Sequence, residues 1–291
     1  MRILVAASCA AFGAAVPAAG QAAAADPIAA CADLLVPYAD RAPAPEELPP
    51  LEISSATGHL SYFGASHSRD PEHPQFAAIR QLWEQRRPTV AFYEGPARPV
   101  AETGDETIRQ YGESGYVRFL AQQAGARVER LEPSPQAEVA AMLERFPQDQ
   151  VKLFYLLRET ARLRERQGMG EAELKAGVGR LLQQANAMFG EQFGAAWTID
   201  DLDAAYRRYW SEPAAWWQAP TRWFDPLKSS AETGGIFTND VNRASSEFRN
   251  RHMYTVLATA AARGDRVFAV VGRDHVPAQA AALHCALAGA R

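Results

Sequence analysis

The chain reads as an α/β protein with a central mixed or mostly parallel sheet flanked by helices and a long helical insertion in its middle. Three observations predict this. Runs that are apolar throughout, such as Val90–Tyr93 and Val267–Val271, suit strands buried on both faces. These runs alternate with stretches of helical spacing, the pattern of parallel strand–helix–strand units. From Gln136 to about Tyr209 the spacing is helical almost throughout, with no strand signal.

Length and composition agree. The chain has 291 residues, 47% hydrophobic and 22% charged, enough apolar material for one substantial core. Its formal net charge of −4 gives no broad basic footprint, which argues against a nucleic-acid partner. The expected organisation is a leader over 1–25, an N-terminal extension over 26–57 and a single α/β domain over 58–291, with the helical insertion at about 136–228.

Met1-Arg2, the alanine-rich apolar stretch from Ile3 to Val16 and Ala23-Ala24-Ala25 have the order of a secretory signal peptide. A spanning helix needs about 20 apolar residues, more than this stretch offers, and no transmembrane segment is expected after cleavage. The expected location is therefore periplasmic or secreted. Cleavage would remove Cys9 and leave Cys31 and Cys285, one near each end. In an exported chain these suggest a disulfide, with two separate buried thiols as the alternative. Ile28-Ala29-Ala30-Cys31 also looks like a lipobox, but Asp26 and Pro27 interrupt it and Cys31 lies far beyond the apolar region.

The extension holds a short helix around Ala29–Tyr38, then a proline-rich surface connector from Ala42 to Pro50. The first strand is expected at Gly58–Gly64, a helix at Gln75–Arg86, a strand at Thr89–Tyr93, a helix at Glu106–Gln123 and a strand at Arg127–Glu132. Four helices follow, Val139–Phe146, Gln148–Arg166, Glu171–Phe189 and Ile199–Tyr209. Five of the six tryptophans fall between 197 and 224, either a packed aromatic cluster or the wall of a substrate groove. Asn239 or Asp240 is a suitable N-cap for a helix running to Ala262. A strand at Arg266–Gly272 and a helix at Val276–Ala288 close the chain.

Chemistry concentrates at strand ends. Gly64-Ala-Ser-His67 and Gly272-Arg-Asp-His275 each follow an apolar strand, where glycine allows a sharp turn and the histidine projects from the sheet rim. Glu94 ends the strand between them in sequence. Two imidazoles and a carboxylate can form an open three-ligand site for a divalent metal (manganese, cobalt or zinc) that activates water. The same residues can work without metal, with one histidine as general base and Arg251 stabilising an oxyanion. Arg243, Glu247 and Arg251 share a helix face, so Arg251 can instead pair with Glu247 in solvent. His59, His73, His252 and His284 are weaker candidates. Nucleophile-elbow, zincin and P-loop signatures are absent from the sequence.

Gly64-Ala-Ser-His67, Phe92-Tyr-Glu94-Gly95, Arg249-Asn-Arg251-His-Met253 and Gly272-Arg-Asp-His275 together resemble the TIKI/TraB/GumN superfamily, whose broad architecture erythromycin-esterase-like and ChaN-like proteins share. The first motif departs from the usual Gly-Thr-x-His form. The resemblance implies a sheet flanked by helices and a site using both Gly-x-x-His histidines with the glutamate. Because TIKI members are metal-dependent proteases, it carries His67, Glu94 and His275 over as metal ligands or catalytic groups, and Arg251 as the family's helix arginine. The expectation is thus an exported metal-dependent hydrolase of peptide or other amide bonds, its substrate a peptide or small molecule. A metal-independent esterase-like hydrolase and a periplasmic protein binding haem at the same rim are the alternatives.

Overall fold

The computed structural model describes residues 26–288; the proposed leader over 1–25, Cys9 included, lies outside the described residues. Five strands, β1 (Leu51–Ser54), β2 (His59–Ala65), β3 (Val90–Tyr93), β4 (Arg127–Arg130) and β5 (Arg266–Gly272), form one sheet in the order β1-β2-β5-β3-β4. β2, β5, β3 and β4 run parallel, and β1 pairs antiparallel with β2. The expected sheet, mostly parallel with helices on both faces, is what the chain forms.

The period of two along each strand divides the sheet's contacts between two layers. Phe63, Ala65, Ala91, Tyr93, Phe268 and Val270 face a layer containing Phe76, Ile79, Trp83, Tyr116 and Val117. These come from α2 (Pro74–Arg86) and α3 (Gly104–Ala124). The alternate residues Leu60, Tyr62, Val90, Phe92, Val267 and Ala269 pack with Met253, Tyr254, Leu257 and Leu283. Here the partners are the long helix and the closing helix, Thr238–Ala262 and His275–Ala288. The central strands are apolar throughout because both faces are covered; β4, at the edge, is exposed along its length.

The N-terminal extension departs from expectation. It does not form one helix to Tyr38: α1 covers only Pro27–Cys31, and 3-10 turns at Ala32–Leu34 and Tyr38–Asp40 follow. β1 lies within 26–57, so the extension belongs to the sheet. Cys31 and Cys285 form a disulfide with Cα atoms 5.8 Å apart, joining α1 to the closing helix across 254 residues.

The insertion is helical, as expected: α4 (Pro135–Leu143), α5 (Gln148–Gln167), α6 (Glu171–Phe193) and α7 (Ile199–Arg207). Trp210, Trp216 and Trp223 are buried in its core, and the rings of Trp210 and Trp223 stack at 4.9 Å. After α8 (Ser230–Thr233), α9 (Thr238–Ala262) begins with Phe237 at its N-cap position. Asn239 is not the cap; its side-chain amide donates to the carbonyls of Arg222 and Asp225 and pins the preceding segment to α9. α10 (His275–Ala288) completes the chain. Among the described residues, no helix is long and apolar enough to cross a membrane.

Candidate functional site at the carboxyl edge of the sheet

β5 lies between β2 and β3, so the chain leaves three adjacent parallel strands at the same edge of the sheet. Such an edge, where strand order reverses, forms a natural crevice. His67 follows β2, Glu94 follows β3 and His275 follows β5. The structure brings these three sequence-identified residues to one place.

Glu94 is the anchor. Its Oε2 accepts the Gly272 N–H at 2.6 Å, and its Oε1 accepts from Arg249 Nη2 at 2.7 Å. His275 Nε2 stands 3.7 Å from Oε1, beyond hydrogen-bond length. Burial pushes the Glu94 carboxyl upward, but His275, the Arg249 guanidinium and the Gly272 N–H outweigh it and hold the carboxyl well below its ordinary range. Glu94 is therefore ionised at neutral pH and too weak a base to take a proton readily.

Arg251 is not in this site. It lies exposed on α9, whereas Arg249 and Asn250 face the sheet. Two residues along an α-helix turn the side chain by about 200°, so only one of the two arginines can face inward. Glu247 does not draw Arg251 into a pair; its Oε1 accepts the Tyr38 N–H at 3.3 Å. Arg249 Nη2 also reaches Glu132 Oε1 at 2.5 Å, and Glu132 Oε2 accepts the Gly95 N–H at 2.7 Å. Glu132, beyond the end of β4, thus extends the carboxylate–guanidinium network.

Both histidines are oriented through Nδ1. His275 is buried, and its Nδ1–H donates to Asn250 Oδ1 at 2.6 Å, an oxygen also bonded by Gln279 at 3.1 Å. His67 Nδ1 lies 2.6 Å from Glu113 Oε1, and the His67 side chain is 53% exposed, so it can meet substrate while held from behind. That contact rests on two unusual backbones. His67 adopts a left-handed φ of 52°, a conformation that costs roughly 1 kcal/mol or more outside glycine. Gly112, with φ 64° and ψ −150°, breaks α3 just before Glu113. A Cβ on Gly112 would lie 2.9 Å from the Ser68 carbonyl, so the kink also lets α3 meet the loop behind His67.

Gly272 has a comparable steric role. A Cβ there would lie 2.9 Å from His67 Nε2 and 3.3 Å from Glu94 Oε2. Imidazole and carboxylate therefore converge over a backbone that has no side chain.

The residues as placed do not fit the expected three-ligand metal set. Among the described residues, no three His, Cys, Asp or Glu side chains converge to hold an ion. The donor chemistry points the same way, since the two Glu94 oxygens are engaged by a guanidinium and a backbone N–H. The haem alternative meets a polar rim. His67, Glu94 and Arg249 line a cleft of about 870 Å³ rich in arginine and glutamate. The more apolar pocket of about 300 Å³ lies between the insertion and the end of β4, where Arg130 and Glu132 line it, and has no histidine in its lining. Trp197 lines that pocket, with Lys152 Nζ 4.8 Å above its ring; the other clustered tryptophans line neither pocket.

No family profile, curated protein or solved structure matches this chain.

Proposed function

We propose that the chain is an exported hydrolase acting on a carbonyl substrate, an ester or amide, with His67 as general base and no requirement for metal. The observation that carries this reading is the His67 Nδ1–Glu113 Oε1 contact of 2.6 Å at the mouth of the cleft. A carboxylate behind an exposed imidazole fixes its tautomer and stabilises the imidazolium that forms when Nε2 takes a proton.

In the proposed reaction, Nε2 removes a proton from water as the water oxygen attacks the carbonyl carbon. The imidazolium then returns that proton to the leaving oxygen or nitrogen as its bond to carbon breaks. Glu94 is reserved for electrostatics: its negative charge lies beside His275 and the Arg249 guanidinium at the sheet edge and holds Arg249 in place. Kinship with the TIKI/TraB/GumN superfamily remains part of this proposal and rests on the four short motifs. Within the helix motif, the contacts favour Arg249 and Asn250 as the working residues. Export is supported by the Cys31–Cys285 bridge, since disulfides persist in oxidising compartments.

The test is hydrolysis of a panel of nitrophenyl esters and anilides by the intact protein, His67→Ala and Glu113→Gln. The reading requires turnover by the intact protein and a loss of about 100-fold or more in His67→Ala. Turnover that survives in His67→Ala would remove His67 from the chemistry.

A further inference from the structure

The cleft above His67 is strongly cationic in a chain of net charge −4. Arg69, Arg98, Arg118, Arg158, Arg162 and Arg249 line it, against the carboxylates of Glu94, Glu113 and Glu132. Six positive and three negative groups leave a formal +3 in the lining, before any charge on His67.

Local pairing does not neutralise these guanidiniums equally. Arg249 bridges Glu94 and Glu132, and Arg162 pairs with Glu159. Arg69, Arg98, Arg118 and Arg158 differ: among the described residues, none has a carboxylate within salt-bridge distance, and Arg118 and Arg158 also lie against aromatic rings. The Arg118 guanidinium lies 5.2 Å from the centre of the Tyr93 ring, and its Nη1 is buried with no hydrogen-bond partner among the described residues. Arg158 packs 4.8 Å from the Phe154 ring and, among the described residues, donates only to the neutral Asn242 Oδ1, at 3.1 Å. Burial pulls the Arg158 guanidinium below its ordinary value; Tyr155 and Glu138 oppose that, while Arg249 and Arg162 add to it.

Holding the Arg158 guanidinium near those of Arg249 and Arg162 beside an apolar ring costs free energy that an anion would offset. Guanidinium forks suit the planar or tetrahedral oxyanions of carboxylates and phosphates. We propose that Arg118 and Arg158 form an anion subsite, so that the substrate carries a carboxylate or phosphate group seated in this cleft beside the bond to be cut. This deepens the hydrolase reading and rests on it for the word substrate; the subsite itself stands on the cleft.

The test measures binding rather than turnover. The full chain is titrated by calorimetry with inorganic phosphate, with glutarate and with the neutral diamide of glutaric acid, at low and moderate salt. Arg118→Gln and Arg158→Gln are titrated alongside, with Arg158→Lys as a charge-retaining control and circular dichroism to verify folding. The expected result is selective binding of one anion, weakened by added salt and by about 10-fold or more in each folded glutamine variant, with partial recovery in Arg158→Lys. The arm that binds, phosphate or glutarate, identifies the anion's source. Equal binding of the neutral diamide, wild-type binding in both glutamine variants, or no anion binding at all would overturn the subsite. Ester hydrolysis retained without anion selectivity would sink the subsite alone. Anion binding without hydrolysis of any ester or amide would sink the hydrolase reading and leave the subsite standing.

Discussion

Glu94 Oε2 accepts the backbone N–H of Gly272 at 2.6 Å, so the carboxylate that follows β3 is bonded to the last residue of β5. This joins the ends of two neighbouring strands and fixes the floor of the cleft. Because a Cβ on Gly272 would also press on His67 Nε2, Gly272→Ala is expected to lower kcat by about 10-fold or more while largely preserving the fold. The kinetic assay beside a thermal melt checks this; unchanged kcat would show that the two side chains do not need their present approach.

Removing Arg249 would leave Glu94 and Glu132 as largely buried carboxylates without their shared cation. Arg249→Ala is expected to cost about 3 kcal/mol of stability, while Arg251→Ala, at an exposed position, should change it by less than about 0.5 kcal/mol. Denaturant unfolding of the two variants side by side measures this contrast.

The folded state holds the Glu94 carboxyl well below its ordinary value of 4.5. A depressed folded-state value favours the protein above the unfolded value, and that contribution disappears as pH falls through the folded value. Stability of the intact protein should therefore decline on acidification below about pH 5, and more steeply than in Glu94→Gln. Melting temperatures across the acid range check the slope; parallel curves would remove Glu94 as the source.

Activity, once a substrate is in hand, is expected to survive exhaustive chelation, and the purified protein to carry no stoichiometric metal. Elemental analysis of the intact protein, His67→Ala and His275→Ala checks this directly. Near-equimolar manganese, cobalt or zinc, lost in both variants, would restore the ligand set expected from the family resemblance. It would also require Glu94 to exchange Arg249 or Gly272 for the ion.

Reduction of the Cys31–Cys285 bridge, or Cys285→Ser, is expected to cost about 2–5 kcal/mol, as the bridge closes a loop spanning most of the chain. The thermal midpoint should fall by several degrees per kcal/mol. Anion binding in the cleft, at the opposite end of α10 from Cys285, should persist at temperatures where the variant remains folded.

The sheet was legible because its central strands are buried on both faces, which leaves an unbroken apolar signature in Val90–Tyr93 and Val267–Val271. β1 escaped notice because Leu51-Glu52-Ile53-Ser54 is short and follows two prolines, although it alternates as an edge strand should. His67, Glu94 and His275 were readable from their positions after strands. Arg249 was also within reach: Met253, Leu257 and Ala261 recur every four residues, and extending that row backward meets Arg249, with Arg251 off the row. Glu113 was not readable, because its approach to His67 depends on the break at Gly112, and a glycine within a helical stretch does not announce which way the helix turns.

The bridge between Cys31 and Cys285 has one more consequence. A protease that cuts one peptide bond anywhere between those cysteines, in the insertion or the loop behind His67, releases no separate fragment. The nicked protein stays a single covalent body, with both sides of the cleft tethered through α1 and α10, so a cut in an exposed loop would appear as two bands only after reduction.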